Sequence, residues 1–112
     1  MIVEAPLDML TLRQWGYDAV AVAGGEMKGQ HAQRLRDLER PLVIIPNNDQ
    51  AGLEGIERWR EALMAGDNLQ ILRLPAKVGG QPVKDVNELA QKEKGEAIFA
   101  DLVRRRLRIR DL

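Results

Sequence analysis

Side chains with carboxylate or amide oxygens recur in this sequence just after apolar runs that are typical of β-strands. Six of them are Glu4, Asp8, Asn47, Asp49, Asp85 and Asn87. The carboxyl ends of strands in an open α/β sheet form a ligand-binding crevice, so we expect such side chains to lie close together. Oxygen ligands suit a hard cation such as Mg²⁺ or Mn²⁺. The chain has no cysteine and one histidine, His31, which makes a zinc site a poorer fit.

Some of these residues also have a purely structural interpretation. Asp8 falls in the first turn of a predicted helix, where the helix dipole favours a negative charge. Asp49 can cap the helix that follows it, and Asp85 and Glu88 have the spacing of a capping box. Taken singly, the structural role is favoured for Asp8 and Asp85. Glu4 has no obvious capping role, and the joint occurrence of all six favours a functional site.

The elements that position these residues alternate between strands and helices. Predicted strands cover residues 2–3, 19–22, 42–45 and 69–74, and predicted helices start at Pro6, cover residues 30–38 and 53–63, and run from Val86 to the end. Residues 75–82, which contain Gly79-Gly80, are predicted to form a loop. Ile98, Phe99, Leu102 and Val103 form the apolar stripe of the last helix. This alternation predicts an α/β fold with roughly four mainly parallel strands flanked by helices.

Composition sets limits on the class of protein. The chain has 112 residues, which fits one domain, and 45% of them are apolar. Formal net charge is zero, with 17 basic and 17 acidic side chains, so the total does not indicate a strongly positive surface. Five arginines, Arg104, Arg105, Arg106, Arg108 and Arg110, cluster near the end. A role at a helix terminus is slightly favoured for them over contacts with nucleic acid or another domain.

The sequence carries no membrane or export signal that we can identify. No apolar run approaches the ~20 residues that a membrane-spanning helix needs. The first residues lack the basic start and apolar stretch of a signal peptide. We therefore expect a cytoplasmic location and no membrane partner.

Three segments together resemble a known family. Residues 3–8, Val-Glu-Ala-Pro-Leu-Asp, resemble the opening of a Toprim domain, where an aspartate follows the glutamate by four residues. Residues 45–52 are similar to the family's Pro-Asp-Asn-Asp-Glu-Ala-Gly segment, and residues 84–89 to its Lys-Asp-x-Asn-Glu segment. Gly24-Gly25 falls where the family has a glycine-containing loop. The resemblance extends to about residue 100 and points to the DNA primase branch, including phage primase–helicases.

The resemblance implies a Toprim, or Rossmann-like, fold over residues 1–100, with residues 101–112 as the basic end of a C-terminal helix. It implies Mg²⁺- or Mn²⁺-dependent phosphoryl or nucleotidyl transfer on nucleotides or nucleic acid. Glu4 would act as acid/base residue or metal ligand, and Asp49 would bind the metal. Asp8, Asn47, Asp85 and Asn87 would complete the metal pocket. Lys84, Arg104, Arg105 and Arg106 would contact phosphate, although Lys84 also fits a solvated surface lysine.

Two departures from the family pattern leave alternatives open. Asn47 stands where the family has the first aspartate of its Asp-x-Asp pair, and an amide contributes no negative charge to a metal site. Ala5 replaces the glycine after the glutamate. A catalytically inactive module that binds nucleic acid or a partner is the second hypothesis, and an unrelated flavodoxin-like or receiver-like domain is the third. The zinc module and N-terminal subdomain of such primases are missing, so we expect either part of a larger primase-type protein or a small separate one.

Overall fold

The computed structural model describes residues 1–22, 29–63, 69–105 and 107–108, the last two by their backbone. The strands are β1 (Ile2–Val3), β2 (Val20–Ala21), β3 (Leu42–Ile44), β4 (Leu69–Ile71), β5 (Lys77–Val78), β6 (Gln81–Pro82) and β7 (Leu107–Arg108). The helices are α1 (Pro6–Gln14), α2 (Gly29–Asp37), α3 (Gln50–Leu63), α4 (Val86–Ala90) and α5 (Gly95–Arg104). No helix in the described parts of the chain is long and apolar enough to span a membrane.

The main sheet has five strands in the order β2-β1-β3-β4-β7. The first four are parallel, and β7 pairs antiparallel with β4 through Ile71 and Leu107. The predicted α/β fold with four parallel strands is therefore confirmed, although each strand after the first is shorter than its apolar run. The fifth strand was not predicted.

Helices cover both faces of the sheet, and each face has its own core. Val3 and Val43 face one side, where they pack with Leu12, Leu89 and Phe99. Neighbouring side chains point to the other side, as expected in a pleated strand. The residues that form this second core are Ile2, Val22, Ala32, Leu35, Ile44, Trp59, Leu63 and Leu69. Burial on both faces explains why the strands are almost continuously apolar instead of alternating with polar residues.

The predicted loop over residues 75–82 is wrong in one respect, because it contains a β-hairpin. Strands β5 and β6 pair antiparallel, with Lys77 opposite Pro82 and Val78 opposite Gln81. Gly79 and Gly80 join them with φ angles of 60° and 79°. Two successive positive φ angles are typical of a two-residue hairpin turn, for which glycine is favoured at both positions.

The helical patterns predicted from Val86 onward form two separate helices, and the prediction that they run to the end is wrong. Helix α4 stops at Ala90, and α5 starts after Lys94, which has a left-handed backbone with φ 60°. A side chain at Gly95 would collide with the carbonyl oxygen of Leu89, so glycine permits this tight turn. Helix α5 ends at Arg104, and the chain then enters β7.

Candidate functional site

Glu4 and Asn47 meet at the carboxyl ends of two neighbouring strands. Strands β1 and β3 are paired through Ile2 and Ile44, so the residues just beyond them share one edge of the sheet. The side-chain nitrogen Nδ2 of Asn47 donates a hydrogen bond to Oε2 of Glu4 at 3.1 Å. An ionised carboxylate only accepts hydrogen bonds, so the amide must present its nitrogen here. Asn47 therefore contacts Glu4 directly and without charge repulsion.

Asp49 follows Asn47 and caps the next helix, as its position predicted. Its Oδ1 accepts a hydrogen bond from the backbone N–H of Gly52 at 2.6 Å, in the first turn of α3. Its other oxygen, Oδ2, lies 3.8 Å from Nζ of Lys84, and the Asp49 side chain is 37% exposed. Capping therefore occupies one oxygen and leaves the second facing a cation at the protein surface.

Helix α3 begins very close to the strand-end loop that carries Asn47. A side chain at Gly52 would collide with the backbone of Asn47, so only glycine lets the helix approach this closely. The close approach fixes Asn47 and Asp49 relative to the helix. It thus positions two of the candidate ligands.

Asn48 lies between these two residues in a turn-forming cluster, and its sequence context indicates no further role. Its Nδ2 lies 3.2, 3.1 and 2.8 Å from the carbonyl oxygens of Leu74, Pro75 and Val83. Its backbone N–H also donates to the carbonyl oxygen of Lys84 at 2.7 Å. Asn48 therefore ties the loop after β3 to both ends of the β5–β6 hairpin. No local pattern could reveal this, because every acceptor lies far along the chain.

Asp8 lies in a different environment, buried between α1 and α4 with 1% of its surface exposed. Its Oδ1 accepts a hydrogen bond from the backbone N–H of Asn87 at 2.9 Å. Its Oδ2 is buried without a hydrogen-bond partner among the described residues. Burial, with smaller contributions from the nearby charges of Asp85, Glu4 and Glu88, raises the pKa of Asp8 to about 6, against the effect of the Asn87 hydrogen bond.

Asp85 caps α4, as its spacing to Glu88 predicted. Its Oδ1 accepts from the backbone N–H of Glu88 at 2.8 Å. The Glu88 side chain reaches back to the backbone N–H of Lys84 at 2.9 Å. These reciprocal bonds satisfy donors at the helix start, so the segment over residues 84–89 has a clear structural role.

A small cavity of about 130 Å³ lies beside Glu4 and Asn47. Its lining combines the first turns of α3 with the end of β3, and includes Arg58 and Trp59. The carboxylate edge of the site therefore opens into a pocket with an apolar floor.

Comparison with known families now identifies the chain. The family model described as Toprim-like matches residues 1–90, which is most of the sequence. The chain belongs to the Toprim-like family. The resemblance of the three segments is therefore confirmed at the level of the family, and the flavodoxin-like or receiver-like alternative is wrong.

Two solved structures are similar to this Toprim domain. A DNA primase domain from Pseudomonas aeruginosa shares 27% identity with a TM-score of 0.76, over 97% of this chain and 34% of that one. The DnaG catalytic core shares 25% identity with a TM-score of 0.73, over 96% of this chain and 34% of that one. The chain thus spans about a third of each primase structure. No curated protein sequence matches it.

The arginine cluster of the Toprim domain is partly accounted for by local ion pairs. Asp101 contacts Arg104 at 3.2 Å and Arg105 at 2.6 Å, one turn of α5 away. Hydrogen bonds from these two arginines, Arg105 first, lower the pKa of Asp101. Arg106 lies outside the described residues, as do Gly24 and Gly25 of the predicted glycine loop. The phosphate contacts suggested for these arginines stay a prediction.

The six predicted oxygen residues of the Toprim domain separate into two groups. Glu4, Asn47 and Asp49 form the strand-end group, at the carboxyl ends of β1 and β3. Asp8, Asp85 and Asn87 form the helix-interface group, between α1 and α4. Within the described residues, no three acidic or histidine side chains lie close enough together to hold a metal ion. Glu4, Asn47 and Asp49 are thus the residues at the strand ends that could supply metal ligands, two of them as carboxylates and one as an amide.

Proposed function

We propose that this chain is the Toprim domain of a primase-like protein and binds Mg²⁺ or Mn²⁺ at the strand-end group. Glu4 and Asp49 are the charged ligands, and Asn47 is an uncharged third donor. The substrate is a nucleotide or nucleic acid, and the reaction is phosphoryl or nucleotidyl transfer. The observation that carries this proposal is the meeting of Glu4 with the Asn47–Asp49 segment at one sheet edge.

Glu4, Asn47 and Asp49 suit an ion of the Mg²⁺ type better than an ion that must be fully enclosed by protein ligands. Mg²⁺ is usually held by one or two carboxylates, and substrate phosphates and water complete its coordination. Asp49 keeps one oxygen directed to the surface, toward Lys84. Such an ion, when bound, neutralises charge on phosphate oxygens during transfer. Glu4 would then either bind the ion or hold a proton at its carboxylate, and Lys84 would attract phosphate.

A second candidate function rests on the Asn47–Glu4 hydrogen bond. The amide donates to Glu4 at 3.1 Å and so performs part of the charge compensation that an ion would supply. To coordinate an ion, Asn47 must turn its oxygen inward and give up this bond. This observation favours a catalytically inactive Toprim module that binds nucleic acid or a protein partner.

Mn²⁺ titration of the purified chain separates the two candidates. The variants are Glu4→Ala and Asn47→Asp, and Glu61→Ala is a matched control because Glu61 is an exposed acid on α3, away from the strand ends. The proposed site requires binding in the parent, its loss in Glu4→Ala, and no change in the control. We expect about tenfold tighter binding in Asn47→Asp, equivalent to ~1.4 kcal/mol for the added charge.

Other results would assign the chain differently. Mn²⁺ binding that is absent from the parent but present in Asn47→Asp would favour the inactive module. Nucleotidyl transfer or nicking that appears only in Asn47→Asp would support the same conclusion. Mn²⁺ binding that survives both Glu4→Ala and Asp49→Ala would remove the strand-end group as the site.

A further inference from the structure

The β5–β6 hairpin and its flanks carry positive charge without any acidic side chain. We call residues 73–84 the basic ribbon. Its charged residues are Arg73, Lys77 and Lys84, and no aspartate or glutamate occurs from residue 69 to 84. In a chain of zero net charge, this is a local excess of cations. The ribbon lies directly beside the strand-end group, because Lys84 pairs with Asp49.

The basic ribbon has one apolar side and one charged side. Leu74 and Val83 are buried in the core with 5% and 1% exposure, and Val78 packs against them. Arg73, Lys77 and Lys84 are all exposed. Lys77 stands opposite Pro82 in the hairpin, and Lys84 follows Pro82 by two residues, just before α4. The apolar side therefore fixes the ribbon to the domain, and the cations face solvent.

The ribbon is also held rigidly against the site. Asn48 binds the carbonyl oxygens of Leu74, Pro75 and Val83 through its side chain, and that of Lys84 through its backbone. The backbone N–H of Val83 donates to the carbonyl oxygen of Ala76 at 2.9 Å and extends the hairpin pairing. The base of the ribbon is thus hydrogen-bonded to Asn48, the residue before Asp49.

Two features leave the ribbon's exposed surface accessible to a ligand. Neither Arg73 nor Lys77 forms an ion pair with any residue that the structure describes. Gly79 and Gly80, at the exposed tip, have no side chains to obstruct a backbone that approaches the turn. Cations of this kind bind phosphate without reading base sequence.

We propose that the basic ribbon is a track for the phosphate backbone of a single nucleic-acid strand and leads it to the strand-end group. This inference rests on the proposed function, because that function supplies a ligand with phosphate groups. It does not require that Mg²⁺ or Mn²⁺ is bound. Arg73 and Lys77 contact phosphates remote from the reacting group. Lys84 contacts the phosphate nearest to Asp49.

The test is binding of a short fluorescein-labelled single-stranded DNA, followed by anisotropy over a range of salt concentrations in EDTA. The variants are Arg73→Glu/Lys77→Glu and the milder Arg73→Gln/Lys77→Gln. Arg34→Glu is the matched control, because Arg34 is an exposed arginine on α2, which packs on the opposite face of the sheet. A thermal unfolding midpoint for each variant checks that the fold is retained.

We expect the glutamate variant to bind about tenfold or more weakly, the glutamine variant to show an intermediate loss, and the control to stay within about twofold. The slope of log affinity against log salt should become shallower by about 1.4 in the double variants. Two single-strand phosphate contacts are lost, and each accounts for about 0.7. The same losses in a Glu4→Ala background would separate the ribbon from the cation site. We expect these losses of DNA affinity even if the parent binds no Mn²⁺.

Three results would overturn the inference. The first is no DNA binding by the parent at low salt, and the second is an equal loss in Arg34→Glu, which would indicate general electrostatic attraction. The third is binding of poly-glutamate as tightly as DNA with the same sensitivity to Arg73 and Lys77. That result would assign the ribbon to an acidic protein partner.

Discussion

The strand-end group and the helix-interface group have similar side chains but differ in what holds their carboxylates. In the helix-interface group, Asp85 caps α4, and Asp8 is buried against the backbone of Asn87. In the strand-end group, Asp49 directs one oxygen toward the surface, and Glu4 is held by a side-chain amide that can rotate. Asp49 also accepts a backbone N–H bond, from Gly52, so the exposure of its second oxygen, and not the lack of a cap, is what leaves it available to a ligand.

The difference follows from the elements that carry each group. Parallel strands end together at one edge, and the first residues beyond them point into a crevice. The start of a short helix instead has unsatisfied N–H groups that consume nearby carboxylates. We therefore propose that the acidic residues of the helix-interface group have a structural role and that those of the strand-end group bind the ligand.

The largest effect is expected from Gly52→Ala, which disturbs the strand-end group alone. The added methyl collides with the backbone of Asn47, so α3 or the loop must move. We expect a loss of about 2–3 kcal/mol in the free energy of unfolding and weaker Mn²⁺ binding. Urea denaturation measures the first effect.

Gly55→Ala on the same helix is the control for this change. Its added methyl meets only the flexible end of Arg58 at 3.6 Å. Alanine is the better helix former, so this variant should gain about 0.5–1 kcal/mol in stability. Equal free energies of unfolding for the two variants would show that α3 is not closely packed against Asn47.

A smaller effect is expected from Asp8→Asn in the helix-interface group. Burial raises the pKa of Asp8 from 3.8 to about 6, so the folded state binds the proton more tightly than the unfolded chain. The contribution of Asp8 to the free energy of unfolding is fully present below pH 3.8, and it is lost as the pH rises through about 6. The shift corresponds to about 3 kcal/mol, and the weaker hydrogen bond from Asn87 offsets about 1 kcal/mol.

The Asp8→Asn variant should therefore be about 2 kcal/mol more stable than the parent at pH 7 and lose most of the dependence on pH between 4 and 7. Unfolding free energies across this range measure both, with Asp37→Asn as an exposed control. Mn²⁺ affinity should not change. If it fell instead, Asp8 would belong with the strand-end group.

The smallest effect is expected from Asp85, which caps α4. Asp85→Ala should cost about 1 kcal/mol of stability, and Asp85→Asn much less, because asparagine is an equally good cap. Neither variant should alter Mn²⁺ binding. A metal-binding role would instead appear as weaker Mn²⁺ binding in Asp85→Asn at unchanged stability.

Local sequence patterns account for most of the fold. The β-branched run around Val43 predicted β3, and apolar steps of three and four predicted α3. The β5–β6 hairpin was missed because its strands have two residues each and contain Pro82, although Gly79-Gly80 is a recognised hairpin signal. Strand β7 was missed because arginine-rich residues after a helix indicate a helix end, and only pairing with β4 makes them a strand.

The candidate site was predictable in its residue types but not in its division into two groups. Strand ends located Glu4 and Asn47 correctly relative to the sheet. The direction of Asp8 depends on how α1 packs against α4, and the role of Asn48 depends on carbonyl oxygens from distant residues. Such contacts are products of tertiary packing, and one sequence carries no local signal for them.

Strand β1 has only two residues, yet it hydrogen-bonds on both sides, to β2 and to β3. Its partner in β3 is Ile44, far along the chain, so β1 is paired on both sides only after a long segment has closed back on it. The apolar residues of β1 therefore stay partly uncovered until β3 pairs with it. We therefore expect refolding to be limited by this long-range closure.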